Sequence, residues 1–201
     1  MDADHSPRLR ERTDKPVQLN PQLVRALKNK ELGLRRRTVH LEKYSLRWEQ
    51  AFADVQTVLY ANKPHGVQSI EHIGSTSVPG LSAKPIMDIA IGITPEAVID
   101  ELHHWLTQEG FIYRGEADAI RPDMMYGFEI EANIRIINAH VLAYGDAEWA
   151  NYLNFRNHLR DNPADREAYQ QLKERLVRHN ANDRSAYLNG KTDFIIRRRK
   201  A

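Results

Sequence analysis

The sequence predicts an α+β protein in which a mixed β-sheet with flanking helices precedes a C-terminal helical block. In Leu46–Tyr60, apolar residues recur at intervals of four, three and four, which is the pattern of an amphipathic helix. Pro85–Ile93 is almost wholly apolar, as expected for a buried strand. Helical patterns also cover residues 146–160, 163–179 and 184–198. Strands followed by a run of helices are typical of this fold class.

The remaining elements are predicted from weaker patterns between these segments. They are a weak helix from Asn20 to near Gly33, a short strand at Val39–Leu41, a strand at Gln68–Ile73, a helix that begins at Thr94-Pro95-Glu96 and ends at Gly110, a strand at Phe111–Arg114, and two paired strands at 127–133 and 135–143. Both of these helices have a proline in the first turn and a glycine at the end, which are common boundary residues.

The predicted organisation is one domain between two basic ends. Its parts are a basic N-terminal extension (1–38), partly disordered and with a short helix; a main domain (39–196) with a sheet part (39–145) and C-terminal helices (146–196); and a basic tail (197–201). Residues 1–16 are polar and lack periodicity, so the disorder is predicted there.

The charges are unevenly distributed along the chain. Its 201 residues carry 29 Lys and Arg against 27 Asp and Glu, a formal net charge of +2. Residues 1–38 hold ten basic and five acidic groups, and the last five residues hold four basic ones, which leaves 15 basic and 22 acidic groups between them. Because the basic excess lies at the ends of the chain and the body is acidic, nucleic acid is not an expected partner.

Cysteine usage and hydropathy exclude further classes. The chain has no cysteine, so disulfides, thiolate catalysis and cysteine zinc sites are absent, which fits a reducing compartment. No apolar run approaches the roughly 20 residues of a membrane span. The first residues also lack the apolar stretch of a secretory signal. We therefore expect a cytoplasmic protein without a membrane partner.

A loop between two predicted strands is the first candidate site. Gly74-Ser75-Thr76-Ser77 follows the strand at Gln68–Ile73, and a glycine with successive amides and hydroxyls at that point can cradle phosphate oxygens. A plain turn is the more frequent reason for such a sequence. Asp88 strengthens the functional interpretation, because a carboxylate inside an apolar strand must be paired, hydrogen-bonded or bound to a metal. Asp88 could instead cap a neighbouring loop amide.

Basic residues on apolar helix faces are the second candidate feature. Arg156 and Arg160 lie in the middle of an apolar arc, and Lys173 and Lys191 lie within the stripes of the following helices. Salt bridges or extended side chains explain any one of them. A shared anionic ligand explains all four together, and Lys84, just before the Asp88 strand, could join them.

His140 has three possible roles. It shares a strand face with Asn138 and Leu142. It could be a general base, a metal ligand, or a core histidine hydrogen-bonded to a carboxylate, which is the commonest case.

The segment HIGSTSVPGLSAKPIMDI closely resembles the signature of the GrpB family, within the nucleotidyltransferase superfamily that includes DNA polymerase beta. The resemblance covers roughly Val39 to Ile196. It continues through His140-Val141, Phe155-Arg156-x-x-Leu159-Arg160, Tyr169-x-x-x-Lys173 and Tyr187-x-x-x-Lys191.

This resemblance implies a nucleotidyltransferase fold, with the Gly-Ser turn at the nucleotide phosphates and the strand aspartate, Asp88, at a divalent metal. Active members of the superfamily carry a second carboxylate on the same strand, where this chain has Ala90, and a third on a neighbouring strand. Glu129 or Glu131 could supply the third, although both also fit a solvent-facing strand edge.

Two functions follow from the resemblance. In the first, the protein binds a nucleoside triphosphate with Mg²⁺ and transfers a nucleotidyl group to a small-molecule acceptor, or adenylates a carboxylate for amide formation. The phosphate-binding residues would be Gly74, Ser75, Thr76, Lys84, Arg156, Arg160, Lys173 and Lys191; the metal ligands would be Asp88 with Glu129 or Glu131; and the catalytic residues would be Asp88 and His140. In the second, the protein is a nucleotide-binding or regulatory module without catalysis, because Ala90 removes one metal ligand.

Overall fold

The computed structural model describes residues 18–116, 123–179 and 184–199. The helices are α1 (Pro21–Leu27), α2 (Leu46–Ala61), α3 (Ile99–Gln108), α4 (Ala147–Asp161), α5 (Pro163–His179), α6 (Arg184–Asn189) and α7 (Thr192–Arg198). The strands are β1 (Leu34–Arg35), β2 (Val67–Ile73), β3 (Met87–Ile93), β4 (Ile112–Glu116), β5 (Met124–Phe128), β6 (Ile134–Arg135) and β7 (Ile137–Ala143). A single 3₁₀ turn at Ser75–Ser77 follows β2.

The main sheet has five strands in the order β2-β3-β7-β5-β4. β3 and β7 are parallel, and the other neighbours are antiparallel. β1 and β6 form a separate antiparallel pair. The predicted α+β class with a mixed sheet is therefore confirmed.

The alternation of β3 divides the molecule into two layers. Met87, Ile89 and Ile91 lie in the main core, where helices α1, α2 and α3 pack. Ala90 faces the opposite side and packs with Trp149 of α4. The side chain of Asp88 shares that second face, because alternate residues of a strand point the same way. The strand thus places Asp88 under the C-terminal helices.

Helix α4 crosses the second face of the sheet. Its indole ring at Trp149 lies over Gly92, where a Cβ atom would come within 2.7 Å of the ring. A further apolar cluster joins α4 to α5 and α7, and its buried members are Val78, Leu81, Leu159 and Tyr169. The C-terminal helices are thereby held against the loop between β2 and β3.

Part of the predicted N-terminal extension packs on the main domain. Leu23 and Leu27, four residues apart on α1, are buried in the main core. The Asn20 side chain donates a hydrogen bond of 2.5 Å to Glu109. Residues 18–38 are therefore packed on the domain, whereas the predicted disordered segment 1–16 lies outside the described residues.

Several predicted elements differ from the structure. Helix α1 ends at Leu27 rather than near Gly33, and the predicted strand at Val39–Leu41 is not formed. Helix α3 begins at Ile99 rather than at Pro95, because Thr94 starts a turn in which its carbonyl accepts from the Ala97 amide. Strand β5 ends at Phe128 rather than at residue 133. The last predicted helix is divided into α6 and α7 around Gly190.

The basic tail also begins inside a helix. Arg198, in α7, pairs with Asp165 at 2.7 Å, and Arg199 lies 3.6 Å from Glu148. Among the described helices, none combines the length and apolar character needed to cross a bilayer.

Candidate functional site

The turn after β2 brings Gly74 and Asp88 into direct contact. Gly74 has φ 69° and ψ −172°, a backbone conformation that is essentially restricted to glycine. A Cβ atom at Gly74 would lie 2.5 Å from Oδ2 of Asp88. Ser77 closes the turn by donating its hydroxyl to the Gly74 carbonyl at 2.6 Å. Glycine is therefore required here because the Asp88 carboxylate occupies the space of a side chain.

Thr76 is turned into the protein. Its side chain is buried, and its hydroxyl lies 3.0 Å from Nε2 of His72 and 3.5 Å from the Ile86 carbonyl. The hydroxyl of Thr76, a predicted phosphate-binding residue, is thus directed into the protein. Burial, and then the nearby charges of Arg160 and Arg156, lower the pKa of His72 to about 3, so its imidazole is neutral.

Two tyrosines, Tyr169 and Tyr187, lie close enough to Asp88 to be affected by its charge, and three lysines lie against their rings; with Asp88 and Ser75 they form the group that we call the Asp88 cluster. Lys84 and Lys191 lie 5.4 and 4.7 Å from the ring of Tyr187, and Lys173 lies 4.9 Å from the ring of Tyr169. Such distances are those of cation–π contacts. The structure thus brings together the predicted residues Asp88, Lys84, Lys173 and Lys191.

The tyrosines and Lys173 are the buried floor of the Asp88 cluster. Burial raises the pKa of Tyr169 and of Tyr187, and the charge of Asp88 raises both further. The Tyr169 hydroxyl is also hydrogen-bonded to Ser75. Burial lowers the pKa of Lys173 well below its usual value, and the charges of Lys191 and Lys84 lower it as well; its ammonium donates to the Ser82 carbonyl. Asp88, Ser75, Lys84 and Lys191 are only partly buried, so these four can meet a ligand.

A chain of hydrogen bonds links Asp88 to a group of arginines. The Asn138 amide donates to Oδ1 of Asp88 at 2.8 Å, and Arg135 donates to the Asn138 side chain at 2.9 Å. Arg135 also donates to Glu129 at 3.1 Å. Its guanidinium group lies over Gly127, where a Cβ atom would come within 2.4 Å of it. Asn138 and Arg135 thus orient the Asp88 carboxylate.

Glu129 is a partner of arginines. Its Oε1 accepts from Arg36 at 2.7 Å, from Arg114 at 3.0 Å and from Arg135 at 3.1 Å. Burial raises the pKa of Glu129, but the hydrogen bonds from Arg36 and Arg135 and their charges outweigh this and leave it lowered.

The structure does not bring the predicted metal ligands Glu129 and Glu131 to Asp88. Arg135 and Asn138 stand between Glu129 and Asp88, and Glu131 is exposed in the turn after β5. Within the described residues, no group of three or more His, Asp or Glu side chains could hold a metal ion. Asp88 is therefore left as the one predicted metal ligand of the Asp88 cluster.

Arg156 and Arg160 lie apart from the three lysines. Arg156 donates to Glu71 at 2.8 Å and to the His72 carbonyl at 2.9 Å. Arg160 donates through Nε and Nη2 to the Ser77 carbonyl at 3.0 and 2.7 Å. Both arginines brace the turn from the side of α4, and none of these contacts involves Lys84, Lys173 or Lys191.

His140 is paired with a carboxylate that its sequence position did not reveal. Its Nδ1 lies 2.6 Å from Oδ2 of Asp123, and the Tyr152 hydroxyl lies 3.3 Å from the same nitrogen. Asp123 is almost fully buried, and among the described residues its Oδ1 has no hydrogen-bond partner. His140 is opposite Ala90 on β3, one step along the sheet face from the Asp88–Asn138 pair.

Sequence reasoning missed several residues of this site. Asn138 and Arg135 were not considered as partners of Asp88, because the parallel pairing of β3 with β7 cannot be read from either strand alone. Tyr169 had a readable signal, since it precedes Lys173 by four residues and shares its face of α5. Tyr187 also precedes Lys191 by four residues, but α6 ends at Asn189, between the two. Asp123 had none.

The fold and the Asp88 cluster define an α+β protein whose mixed sheet carries a lysine-rich site around a strand aspartate. The chain belongs to the GrpB family, because the family model described as GrpB protein matches residues 38–200. Similar relatives include the glutamate-rich protein GrpB of Alkalihalophilus pseudofirmus, 26% identical over 82% of this chain and 95% of the relative. A UPF0157 protein of Streptomyces coelicolor is 32% identical over 79% of this chain and 81% of the relative.

A solved structure has the same fold. The crystal structure of the conserved protein GrpB from Enterococcus faecalis superposes with a TM-score of 0.70 at 29% identity, over 80% of this chain and 95% of that one. The resemblance identified from the sequence signature is thereby confirmed at the level of family and fold.

Proposed function

We propose that this GrpB-family protein binds a nucleoside triphosphate with Mg²⁺ at the Asp88 cluster and transfers a nucleotidyl group to a small-molecule acceptor, or adenylates a carboxylate for amide formation. The observation that carries the proposal is the contact of Asp88 with the Gly74 turn, close to the Tyr187 ring against which Lys84 and Lys191 lie. This contact combines a metal-binding carboxylate, a backbone turn and cations within one small region.

The charge balance of the Asp88 cluster favours a polyphosphate. The charges of Lys191 and Lys84 both act on Lys173, and three ammonium groups at close quarters repel one another, although Glu174 offsets part of this repulsion at Lys173. A triphosphate would neutralise them and would accept hydrogen bonds from Ser75 and from the backbone at Gly74. Lys173 is buried, so it would not contact the ligand directly, and its charge would add to those of Lys84 and Lys191.

A magnesium ion fits this site when it arrives with the nucleotide. Mg²⁺ is commonly held by one or two carboxylates together with substrate phosphates and water. Asp88 alone would supply the protein ligand, and Asn138 would hold the Asp88 carboxylate in place. Once bound, the ion would polarise the phosphate for displacement.

His140 is the proposed general base. A proton on Nδ1 that is donated to Asp123 leaves Nε2 as the proton acceptor. Asp123 would thereby orient the imidazole and stabilise its protonated form after it takes the proton of the acceptor.

A second candidate function, binding without transfer, is favoured by Ala90. This residue is fully buried against Trp149, so no carboxylate stands at the second metal position of the superfamily. Glu129, the expected third carboxylate, is bound by three guanidinium groups. In this function the nucleotide would be a regulatory ligand.

Calorimetric titration with ATP, CTP, GTP and UTP, with and without Mg²⁺, tests the shared binding step. We expect Mg²⁺ to strengthen the binding of at least one nucleotide about tenfold. Asp88→Asn should remove that gain in affinity, whereas Asp100→Asn, at an exposed position of α3, should keep it. Absence of nucleotide binding would overturn both functions. If Asp88→Asn keeps the Mg²⁺ effect, the metal assignment is wrong.

Pyrophosphate release separates the two functions. With an acceptor panel of alcohols, amines and carboxylates, the transferase should release pyrophosphate, and His140→Gln should slow release without weakening nucleotide binding. Tight binding with no release for any acceptor would support the regulatory function instead.

A further inference from the structure

A second cleft lies outside the Asp88 cluster, between α2, β2 and α4. It is open to solvent and has a volume of about 310 Å³, which lies within the usual range for small-molecule sites. Its lining residues are Glu49, Phe52, Glu71, His72, Arg156 and Arg160. None of them belongs to the Asp88 cluster, so we call this region the α2–α4 cleft.

Two guanidinium groups form one side of the α2–α4 cleft. Their charges are close enough that Arg156 is among the causes that lower the pKa of Arg160, after burial. Arg160 is held by two bonds to the Ser77 carbonyl, and Arg156 by Glu71 and the His72 carbonyl. The hydrogen bonds described for these groups use Nε and Nη2 of Arg160 and Nε and Nη1 of Arg156, so one terminal nitrogen of each remains for a ligand. Two oriented guanidinium groups with remaining donors fit a carboxylate ligand.

Two carboxylates face the same space. Glu71 pairs with Arg156, and about a third of the Glu71 side chain remains exposed. Glu49 accepts a hydrogen bond of 2.5 Å from Tyr44 through Oε1, and its charge, like that of Glu71, acts on Arg160. The cleft therefore holds two positive and two negative groups, Arg156 and Glu71 being paired with each other, so a ligand that carries both charges can meet groups of opposite sign here.

The remaining lining of the cleft is aromatic and uncharged. Phe52 stacks on His72 with ring centroids 4.8 Å apart and an interplanar angle of 19°. The His72 imidazole is tied to Thr76 by a buried hydrogen bond. A flat apolar wall suits the hydrocarbon part of a small ligand.

From this geometry we infer that the α2–α4 cleft binds a free α-amino acid. Its carboxylate would meet Arg156 and Arg160, its ammonium group would meet Glu49 and Glu71, and its side chain would lie on Phe52. This inference goes beyond the proposed nucleotide function and does not depend on it, since it involves neither Asp88 nor a metal.

Calorimetric titration without nucleotide or metal tests the inference. The probes are the twenty common amino acids, with acetate and methylamine as ligands that carry only one of the two charges. We expect at least one amino acid to bind at least about tenfold more tightly than acetate or methylamine. Equal binding of acetate would make the cleft a simple anion site and would overturn the inference, as would the absence of binding by every amino acid.

Variants locate the binding in the cleft. Glu49→Gln removes one partner of the ammonium group without breaking the Arg156–Glu71 pair, and it should weaken the best amino acid about tenfold. Phe52→Leu should weaken it as well, whereas the exposed Glu42→Gln should not. Circular dichroism melts confirm that each variant is folded. Unchanged affinity in both Glu49→Gln and Phe52→Leu would refute the assignment.

The two proposals fail independently. Asp88→Asn should leave amino-acid binding unchanged, and Glu49→Gln should leave nucleotide binding unchanged. If Asp88→Asn abolishes amino-acid binding in a folded protein, the amino acid binds at the Asp88 cluster and the inference is wrong.

Discussion

Replacing Gly74 with alanine tests the central contact of the Asp88 cluster. The new Cβ atom would lie 2.5 Å from Oδ2 of Asp88 and 3.0 Å from its Cβ atom. Real Cβ atoms do not approach other atoms that closely, so either the turn or Asp88 must move. Movement of Asp88 would also break its 2.8 Å hydrogen bond from Asn138.

The expected cost has two parts. An alanine at φ 69° and ψ −172° is strained by about 1–3 kcal/mol. Displacing Asp88 from its hydrogen bond adds about 1 kcal/mol. We therefore expect Gly74→Ala to lower the free energy of unfolding by about 3 kcal/mol, which for a chain of this size lowers Tm by about 6–12 °C.

Urea unfolding measures this cost, and Gly80→Ala is the matched control. Gly80 also has a positive φ, 78°, but a Cβ atom there would meet nothing within 4 Å. Gly80→Ala should therefore cost only about 1 kcal/mol. In an Asp88→Ala background, Gly74→Ala should cost about 1–2 kcal/mol less, because the overlapping carboxylate is gone. Equal costs for Gly74→Ala and Gly80→Ala, or no relief in the Asp88→Ala background, would refute the contact.

Three further predictions concern buried charge. The pKa of His72 is about 3 in the folded protein and 6.5 in the unfolded chain, so between these values the unfolded state binds more protons and the free energy of unfolding falls as pH falls. Between pH 6.5 and 5, His72→Gln should therefore lose about 1.6 kcal/mol less of this free energy than the wild type. Equal losses would contradict the burial of His72. Glu129→Gln should cost about 3 kcal/mol in urea unfolding, because three guanidinium groups lose their counter-ion, whereas the exposed Glu131→Gln should stay within about 0.5 kcal/mol. The pKa of Lys173 is lowered from 10.5 on folding, so as pH rises the folded protein loses this proton before the unfolded chain does. The wild type should therefore gain stability as pH rises from the folded to the unfolded pKa, and Lys173→Met should lack that gain. Parallel pH profiles would count against the desolvation of Lys173.

Periodicity predicted the elements around the site because each pattern is local. The four-three-four spacing in Leu46–Tyr60 became α2, with Trp48, Val55 and Leu59 buried. The alternation in β3 correctly divided Met87 and Ile89 from Ala90. Boundaries were less well predicted where a turn competed with a helix, as at Thr94.

The partners of the charged residues could not be predicted in the same way. Helical phase placed Arg156 and Lys173 on inward faces, but it carries no information about what lies opposite. Arg156 meets β2, whereas Lys173 meets the Ser82 carbonyl beside Tyr169. Arg156 and Lys173, which were grouped because both lie on inward helix faces, therefore have different partners, because their helices dock differently.

The sequence by itself determined the family, the fold class and the position of Asp88 on a buried strand after a glycine turn, because a signature and short-range periodicity suffice for each. The tertiary structure alone decided which charges meet. Asn138 reaches Asp88 across 50 positions of the chain through the parallel pairing of β3 and β7. The same packing brings three arginines into contact with Glu129 and separates the lysines from the α2–α4 cleft. Such contacts depend on strand register and helix docking, and both are set by the burial of the whole core rather than by any one segment.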